Sequence, residues 1–486
     1  MLDCLIAAGT PPSARAGAAV AARGGNAIDA AVAAAVASWV CEPGMTALGS
    51  AVMATVRASG EDPVLVDGLT AMPGLGGHQA DPPGGDLITM PYGPGVQTRV
   101  GPGSIAVPGG PASLHLMQSR WGRARWSDVL GPAIAYARDG FAFPSVGAEY
   151  MAISGEVIYD RTPGSREVWR GPDGKPRQAG DHTTLPALAE DLRLMADAGV
   201  TPLYEGALGE RITDWILAHG GAMSMQDLSS YEVGVCNAVT VSDGDWHVSM
   251  PESVGGLTVR ELVSGFASIP RGHADEQREL VRVMQNAVRM RDVRLGAASA
   301  STTQICAVDQ DGGACSITTS TGYGSGVIVP GTGIMLNNML GELELLPSGP
   351  GVLKPGDRLP SNMSPSIAWC GNHVIAMGAA GSDRIPPAIA QVWRHLADGV
   401  MPEEAIARPR MHVRSEGPSW VLDHEGPCQI DGWVGAMNPF DGRHMYFGGV
   451  QVAARDADGV LAGAGDPRRG GGVAFSADMD PTWPTD

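Results

Sequence analysis

Near the middle of the chain, Ser301-Thr302-Thr303-Gln304 opens a run that reads as a β-strand. A threonine in that place can act as a nucleophile if its own α-amino group is set free. The amine then serves as general base, with an ordinary pKa of about 7.7–8.0. One residue supplies both groups at a fixed distance, so no His-Asp pair is needed. Paired threonines at a strand edge are also ordinary β formers, and Thr-Thr by itself carries no chemistry. Other motifs are excluded more directly. Gly322-Tyr323-Gly324-Ser325-Gly326 lacks the G-x-G-x-x-G spacing of a dinucleotide loop. No Gly-x-Ser-x-Gly elbow sits between a strand and a helix. His219-Gly220-Gly221 ends a helix and has no such elbow to serve. Eleven histidines yield no metal-binding spacing, so neither a metal nor a cofactor is expected.

The elements that must hold Thr302 are legible around it. Residues 303–309 and 314–320 flank Gln310-Asp311-Gly312-Gly313, a hairpin with a strong Asp-Gly turn. Residues 12–41 read as a helical region broken at Gly24-Gly25-Asn26, where Asn26 can cap the second half. The Ala/Val face of that second helix is so small that neighbouring backbone must approach closely. Glu42-Pro43-Gly44 stops it, and 49–56 follows as a buried strand. Segments 111–138, 186–198 and 207–219 have helical periodicity, and Gly220-Gly221 ends the last. Residues 72–110 are Gly/Pro-rich and read as a long surface excursion. Further strands are expected at 365–370, 373–378, 419–423 and 447–454, with a helix over 388–398. Pattern alone gives a layered α/β or α+β protein.

The composition agrees with a globular enzyme. In 486 residues, 44% are hydrophobic but only 5% aromatic, while Gly (68) and Pro (37) are abundant. Small residues must therefore do much of the packing. A net charge of −19 leaves no basic footprint for nucleic acid and favours solubility. Cysteines at 4, 41, 236, 306, 315, 370 and 428 form no C-x-x-C pair and are expected as buried free thiols. Met1-Leu2-Asp3-Cys4 carries an acid where a signal peptide has lysine or arginine. The Ala-rich run 27–39 is too short to span a bilayer. The expected setting is the cytoplasm, with a small-molecule substrate and neither nucleic acid nor membrane as partner.

Segment order over nearly the whole chain resembles the γ-glutamyltransferase family. Gly24-Gly25-Asn26-Ala27-Ile28-Asp29-Ala30-Ala31 is close to that family's N-terminal signature. Val107-Pro108-Gly109, Ala137-Arg138-Asp139-Gly140-Phe141, Tyr204-Glu205-Gly206, Asp227-Leu228 with Tyr231, and Met250-Pro251 with Gly255-Gly256 follow in family order. Beyond Thr302 come Asp309 with Asp311-Gly312, Gly324-Ser325-Gly326-Val327, Gly331-Thr332-Gly333-Ile334, Leu336-Asn337-Asn338, Met363-Ser364-Pro365, Arg384-Ile385 and Asp466-Pro467-Arg468.

The resemblance implies an α+β protein with a four-layer αββα N-terminal-nucleophile hydrolase sandwich. It implies a precursor cut between Ser301 and Thr302 into a large-chain region (1–301) and a small-chain region (302–486) that stay associated. Thr302 would be the nucleophile, Ser320 its hydroxyl neighbour, and the backbone amides of Gly381 and Ser382 the oxyanion hole. Asn338, Glu342, Ser361 and Asn362 fall where the family binds its substrate's α-amine and α-carboxylate. Departures are as informative. The family's carboxylate-gripping arginine aligns with Leu69, which cannot form a bidentate ion pair. Either another arginine, such as Arg99, fills the role, or acyl specificity has changed. The usual Thr-Thr-His becomes Thr302-Thr303-Gln304. The readings that follow are a hydrolase of altered specificity, cutting an amide or an activated C–C bond beside a carbonyl, an ordinary γ-glutamyl hydrolase or transpeptidase, and a non-catalytic relative. Within the family the first group includes cephalosporin-type acylases, oxamate amidohydrolases and C–C hydrolases of alkylproline antibiotic biosynthesis.

Overall fold

Small side chains set the spacing of the innermost helices. Every residue of helix Ala27–Cys41 is buried. Asn26 begins it as expected: its Oδ1 accepts from the amides of Ile28 and Asp29 at 3.0 Å, and Asp29 answers on the Asn26 amide. The preceding helix, Pro11–Ala21, lies so close that a Cβ on Gly17 would sit 2.5 Å from the Ala30 carbonyl oxygen. Larger residues would force the two helices apart and lift them from the sheet beneath.

The computed structural model describes residues 3–91, 95–272, 275–295, 302–346 and 348–480. Two antiparallel sheets lie face to face. The first runs from edge to edge as Gly472–Phe475, Cys4–Ala8, Thr303–Asp309, Ala314–Ser320, Ala51–Arg57, Val64–Gly68 and Gly234–Asn237. The second runs Leu461–Gly465, Gly449–Arg455, His373–Ala380, Ser366–Cys370, Trp246–Met250 and Val239–Asp243. Leu5, Cys306, Val308, Ile367, Ala376 and Ala453 fill the space between them. Helices Pro11–Ala21 and Ala27–Cys41 lie on the outer face of the first sheet, and Trp126–Asp139 packs on them from outside. Helices Val254–Ala267 and Ile385–Ala397 lie on that of the second, and Glu276–Leu295 packs against Val254–Ala267 and strand Met411–Glu416. This is the expected four-layer αββα sandwich. No helix among the described residues is long and apolar enough to cross a membrane.

Three expectations need correction. Residues 72–110 are not wholly a surface excursion: Val100, Ile105, Ala106 and Val107 are buried. The Asn337 amide holds that stretch, taking the Ala106 N–H and giving a hydrogen to its carbonyl. The helical run 111–138 is two helices, Gly110–Trp121 and Trp126–Asp139, because Asp29 Oδ2 captures the backbone amides of Arg123 and Ala124 between them. The seven cysteines are free, but Cys236 is exposed on an edge strand.

A buried ionic network ties together Arg410, Glu425, Asp466 and Arg468. Arg410 reaches Asp466 at 2.6 Å, Arg468 reaches the same carboxylate at 3.3 Å, and Arg468 also pairs with Glu425. Asp466 accepts the Val450 amide as well, and Arg410 donates to the Gly448 carbonyl at 3.1 Å. Removing one member strands the other charges without water. Asp466→Ala should cost about 3–5 kcal/mol, read as a lower urea midpoint with an unchanged slope.

Candidate active site

Strand pairing fixes where Thr302 lies. Thr303 opposes Thr319 across the central hairpin, so the same register carried one step further sets Thr302 against Ser320. Side chains alternate along a strand. Ile305 and Ala307 point to the helical layer, while Cys306 and Val308 point between the sheets. Alternation therefore brings Thr302 and Ser320 to the inter-sheet side. Thr302 is 3% exposed. The Ser320 hydroxyl accepts the Gly322 amide at 3.0 Å, which ties it to the turn that follows. Ser301, and with it the bond expected to be cut, lies outside the described residues.

Two buried groups brace this strand end. Glu42 accepts from Ser13 Oγ at 2.7 Å and Thr10 Oγ1 at 3.1 Å, and the Thr303 hydroxyl bonds to it too. Burial raises its pKa, and the three hydroxyls partly restore the charged form. On the opposite face Gln304 donates to Ser316 Oγ at 2.9 Å and accepts from Thr318 Oγ1 at 2.7 Å. Glutamine thus occupies the histidine position of the family's usual Thr-Thr-His as a neutral clamp between adjacent strands.

The loop after strand His373–Ala380 carries the oxyanion candidates. Gly381 has φ 135°, and a Cβ there would meet Gly448 Cα at 2.8 Å. Ser382 follows with φ 63°. A non-glycine residue in that region is strained and has to be held by its surroundings. Its hydroxyl is buried with no hydrogen-bond partner among the described residues. Asp383 comes next, bonded to Arg384 and 3.5 Å from His412 Nε2. Burial would raise the Asp383 carboxyl, but Arg384, His412 and Arg291 together hold it well below the usual carboxylate range.

Glu342 is fully buried, and neither carboxylate oxygen has a hydrogen-bond partner among the described residues. Gly322, two residues after Ser320, stands beside it: a Cβ there would meet the Glu342 carboxyl carbon at 3.1 Å. Burial first, then repulsion from Glu344, drives the Glu342 pKa far up. Glu344 is itself pushed up to about 7 by burial, although Tyr323 donates to it at 3.2 Å. Asn338 serves the scaffold. Its Oδ1 takes the Tyr323 amide, and both amide hydrogens go to Thr98 Oγ1 and the Arg99 carbonyl. Ser361 Oγ accepts the Met363 amide, and Asn362 Oδ1 accepts from Arg291 Nε at 3.3 Å. Gly255 has its reason here, because a Cβ on it would lie 2.1 Å from the Asn362 carbonyl oxygen, while one on Gly256 would meet the Pro251 carbonyl oxygen.

Leu69 is 7% exposed and packs with Met339, Leu340, Leu359 and Met363. In sequence Glu342 follows Met339 and Leu340 closely, and Asn362 directly precedes Met363. The guanidinium of Arg99 donates to the Gly85 carbonyl at 2.9 Å. Arg291, Glu344 and His412 had not been singled out from the sequence. Glu344 could have been found from the alternating Glu342-Leu343-Glu344. Arg291 lies in helix Glu276–Leu295, buried where the apolar stripe of Leu280, Val281, Met284 and Ala287 continues. Among the described residues no group of three or more His, Cys, Asp or Glu could hold a metal ion.

A four-layer sandwich with a threonine at the head of an inner strand is the plan of the N-terminal-nucleophile hydrolases. The gamma-glutamyltranspeptidase family model matches residues 13–296 and 266–476, and the chain belongs to that family of enzymes. The acylase ACY 1 proenzyme of Pseudomonas sp. strain SE83 is 27% identical, over 95% of this chain and 91% of that one. The glutathione hydrolase proenzyme of Bacillus subtilis is 24% identical, over 96% and 91%. The crystal structure of a cephalosporin acylase from Bacillus halodurans superposes with a TM-score of 0.78 at 24% identity, covering 97% of this chain and 96% of that one.

The unpaired Glu342 carboxylate has a consequence for stability. Because folding raises its pKa above the ordinary 4.5, the folded state keeps a proton that the unfolded chain releases. Stability therefore falls as pH climbs from that value through the raised one. Glu342→Gln should be more stable than the parent by about 1–3 kcal/mol at pH 8, with the gap closing near pH 4. Denaturant titrations at the two pH values measure it.

Proposed function

We propose that the chain is a self-processing hydrolase that cuts itself between Ser301 and Thr302 and then uses Thr302 to cleave a small acyl substrate other than glutathione. In processing, Thr302 Oγ attacks the Ser301 carbonyl and water opens the resulting ester, which frees the Thr302 amine. Regions 1–301 and 302–486 stay together because each sheet is built from strands of both, and in the first Cys4–Ala8 lies between Gly472–Phe475 and Thr303–Asp309. In turnover the free amine takes the Oγ proton, and the amides of Gly381 and Ser382 bear the oxyanion. Ser320 orients the nucleophile, and Glu342 receives a cationic group of the substrate.

The observation that carries the altered specificity is Leu69 packed among Met339, Leu340, Leu359 and Met363. A γ-glutamyl group brings an α-carboxylate that needs a buried partner, and this wall offers none. An acyl group with a cationic end and an apolar flank fits better. The named relatives include acylases, which supports amide cleavage. Carbon can leave instead only where conjugation stabilises the carbanion, as in an alkylproline-type biosynthetic step. The second reading, an ordinary glutathione-type hydrolase, draws on Glu342, since a buried acid suits the glutamyl ammonium, and on relatives bearing that name.

Two outcomes are expected. Thr302→Ala should yield one uncut chain on a denaturing gel; a pure variant still cut at this bond would exclude the intramolecular route. Wild-type enzyme should turn over a γ-glutamyl anilide weakly, with or without a dipeptide acceptor, and Leu69→Arg should raise that rate by about tenfold or more. Efficient wild-type turnover of glutathione would restore the second reading.

A further inference from the structure

The chemistry above uses only the backbone of Ser382, and its side chain is left without a task. The residue is 2% exposed, and its hydroxyl has no hydrogen-bond partner among the described residues. An unmet buried hydroxyl costs free energy. The backbone adds a second cost. Ser382 stands at φ 63°, where a side chain is unfavourable and a glycine is not. Glycine at this position would remove both costs, so the chain alone gains nothing from the serine.

Strand packing places that serine beside the nucleophile. Strand His373–Ala380 of the second sheet crosses strand Thr303–Asp309 of the first in the opposite direction. Val374 and Ala376 pack in one cluster with Cys306 and Val308, whereas a Cβ on Gly378 would lie 2.4 Å from the Gln304 side chain. Two residues back from Gln304 is Thr302. Two residues on from Gly378 is Ala380, the last before Gly381-Ser382. The one strand therefore begins, and the other ends, at the same end of the sandwich. Ser382 also opens the 3-10 turn Ser382–Arg384 that leads into helix Ile385–Ala397, and the amino end of a helix favours an anion. A serine hydroxyl keeps a donor hydrogen at any ordinary pH, and an oxyanion only accepts. No neighbouring group has to be assigned a proton for this match.

We propose that the Ser382 hydroxyl donates a hydrogen bond to the oxyanion formed at Thr302, beside the amides of Gly381 and Ser382. The proposal rests on Thr302 as the nucleophile. Thr302 Oγ bonds to the acyl carbon, its proton passes to the α-amine, and the carbonyl π pair moves onto oxygen. That oxygen accepts from Ser382 Oγ, which keeps its proton throughout. As the oxyanion collapses, the bond to the leaving group breaks and the α-amine hands the proton to it. The serine is costly to the empty chain and is repaid only when the reacting oxygen is present.

Butylboronic acid tests this without knowledge of the substrate. Its boron bonds to Thr302 Oγ while the Oγ proton passes to the α-amine, and a boron hydroxyl oxygen stands where the oxyanion would. Calorimetric titration into the cut protein at pH 8 should show one site with a Kd on the order of millimolar, absent in Thr302→Ala. Ser382→Ala and Ser382→Gly should each weaken binding by about tenfold or more. Ser382→Gly should at the same time unfold at a higher urea concentration than wild type. Without Thr302-dependent binding in wild type, the nucleophile reading falls and the proposal with it. Wild-type affinity in either Ser382 variant overturns the proposal alone. So does a Ser382→Gly chain that unfolds earlier or is no longer cut, since the hydroxyl would then serve the fold or its maturation.

Discussion

The register of a single hairpin governs the geometry of the site. Thr303 opposes Thr319, and each lies in a strand hydrogen-bonded on its other side, to Cys4–Ala8 and to Ala51–Arg57. A slip of one residue would exchange the faces of the strand, sending Thr302 toward the helices and Thr303 into the inter-sheet space. Several costs oppose that slip together. Gln304 would lose Ser316 and Thr318, and Glu42 would lose the Thr303 hydroxyl in a place where water cannot replace it. The place of Thr302 is therefore defined by its neighbours Thr303 and Gln304 and by Glu42.

Around that fixed point the walls are of two kinds. On the oxyanion side the backbone is forced. Gly381 meets Gly448, Ser382 adopts a conformation unfavourable for its type, and the Arg410–Asp466–Arg468 network anchors the segment that presses on them. On the binding side the difficulty is electrostatic. Glu342 and Glu344 are buried near each other with too few donors, which the folded chain tolerates at a loss of stability. Both features cost free energy in the chain alone, and both concern groups that a reacting molecule would meet.

What the sequence disclosed follows the range of the interactions. The Asn26 cap, the glycine stop after residue 218 and the Asp311-Gly312 turn are short-range, and the structure has each where it was read. Family order implies one site for Thr302, Ser320, Gly381 and Glu342, and the hairpin register sets the first two opposite each other. Other groups were hidden because they depend on distant partners. His412 matters only beside Asp383, and Arg291 only beside Asn362, where it interrupts the apolar stripe of its helix. The stretch 98–107 was misread for the same reason, since its burial comes from Asn337 more than two hundred residues away.

The interleaving of the two sheets also bears on what a cut chain can do afterwards. Strand Cys4–Ala8 has one partner on each side, both from beyond residue 301, and strand Ala314–Ser320 has Ala51–Arg57 at its flank. Cores are shared as well, since Ile305, Ala307, Cys315 and Ile317 pack in one cluster with helices Pro11–Ala21 and Ala27–Cys41. Two cleaved molecules in the same solution could not trade pieces without first passing through the unfolded state. Each molecule would keep, for its lifetime, the partner it was synthesised with, and the ratio of the two pieces in a cell would stay at unity without any control of their separate amounts.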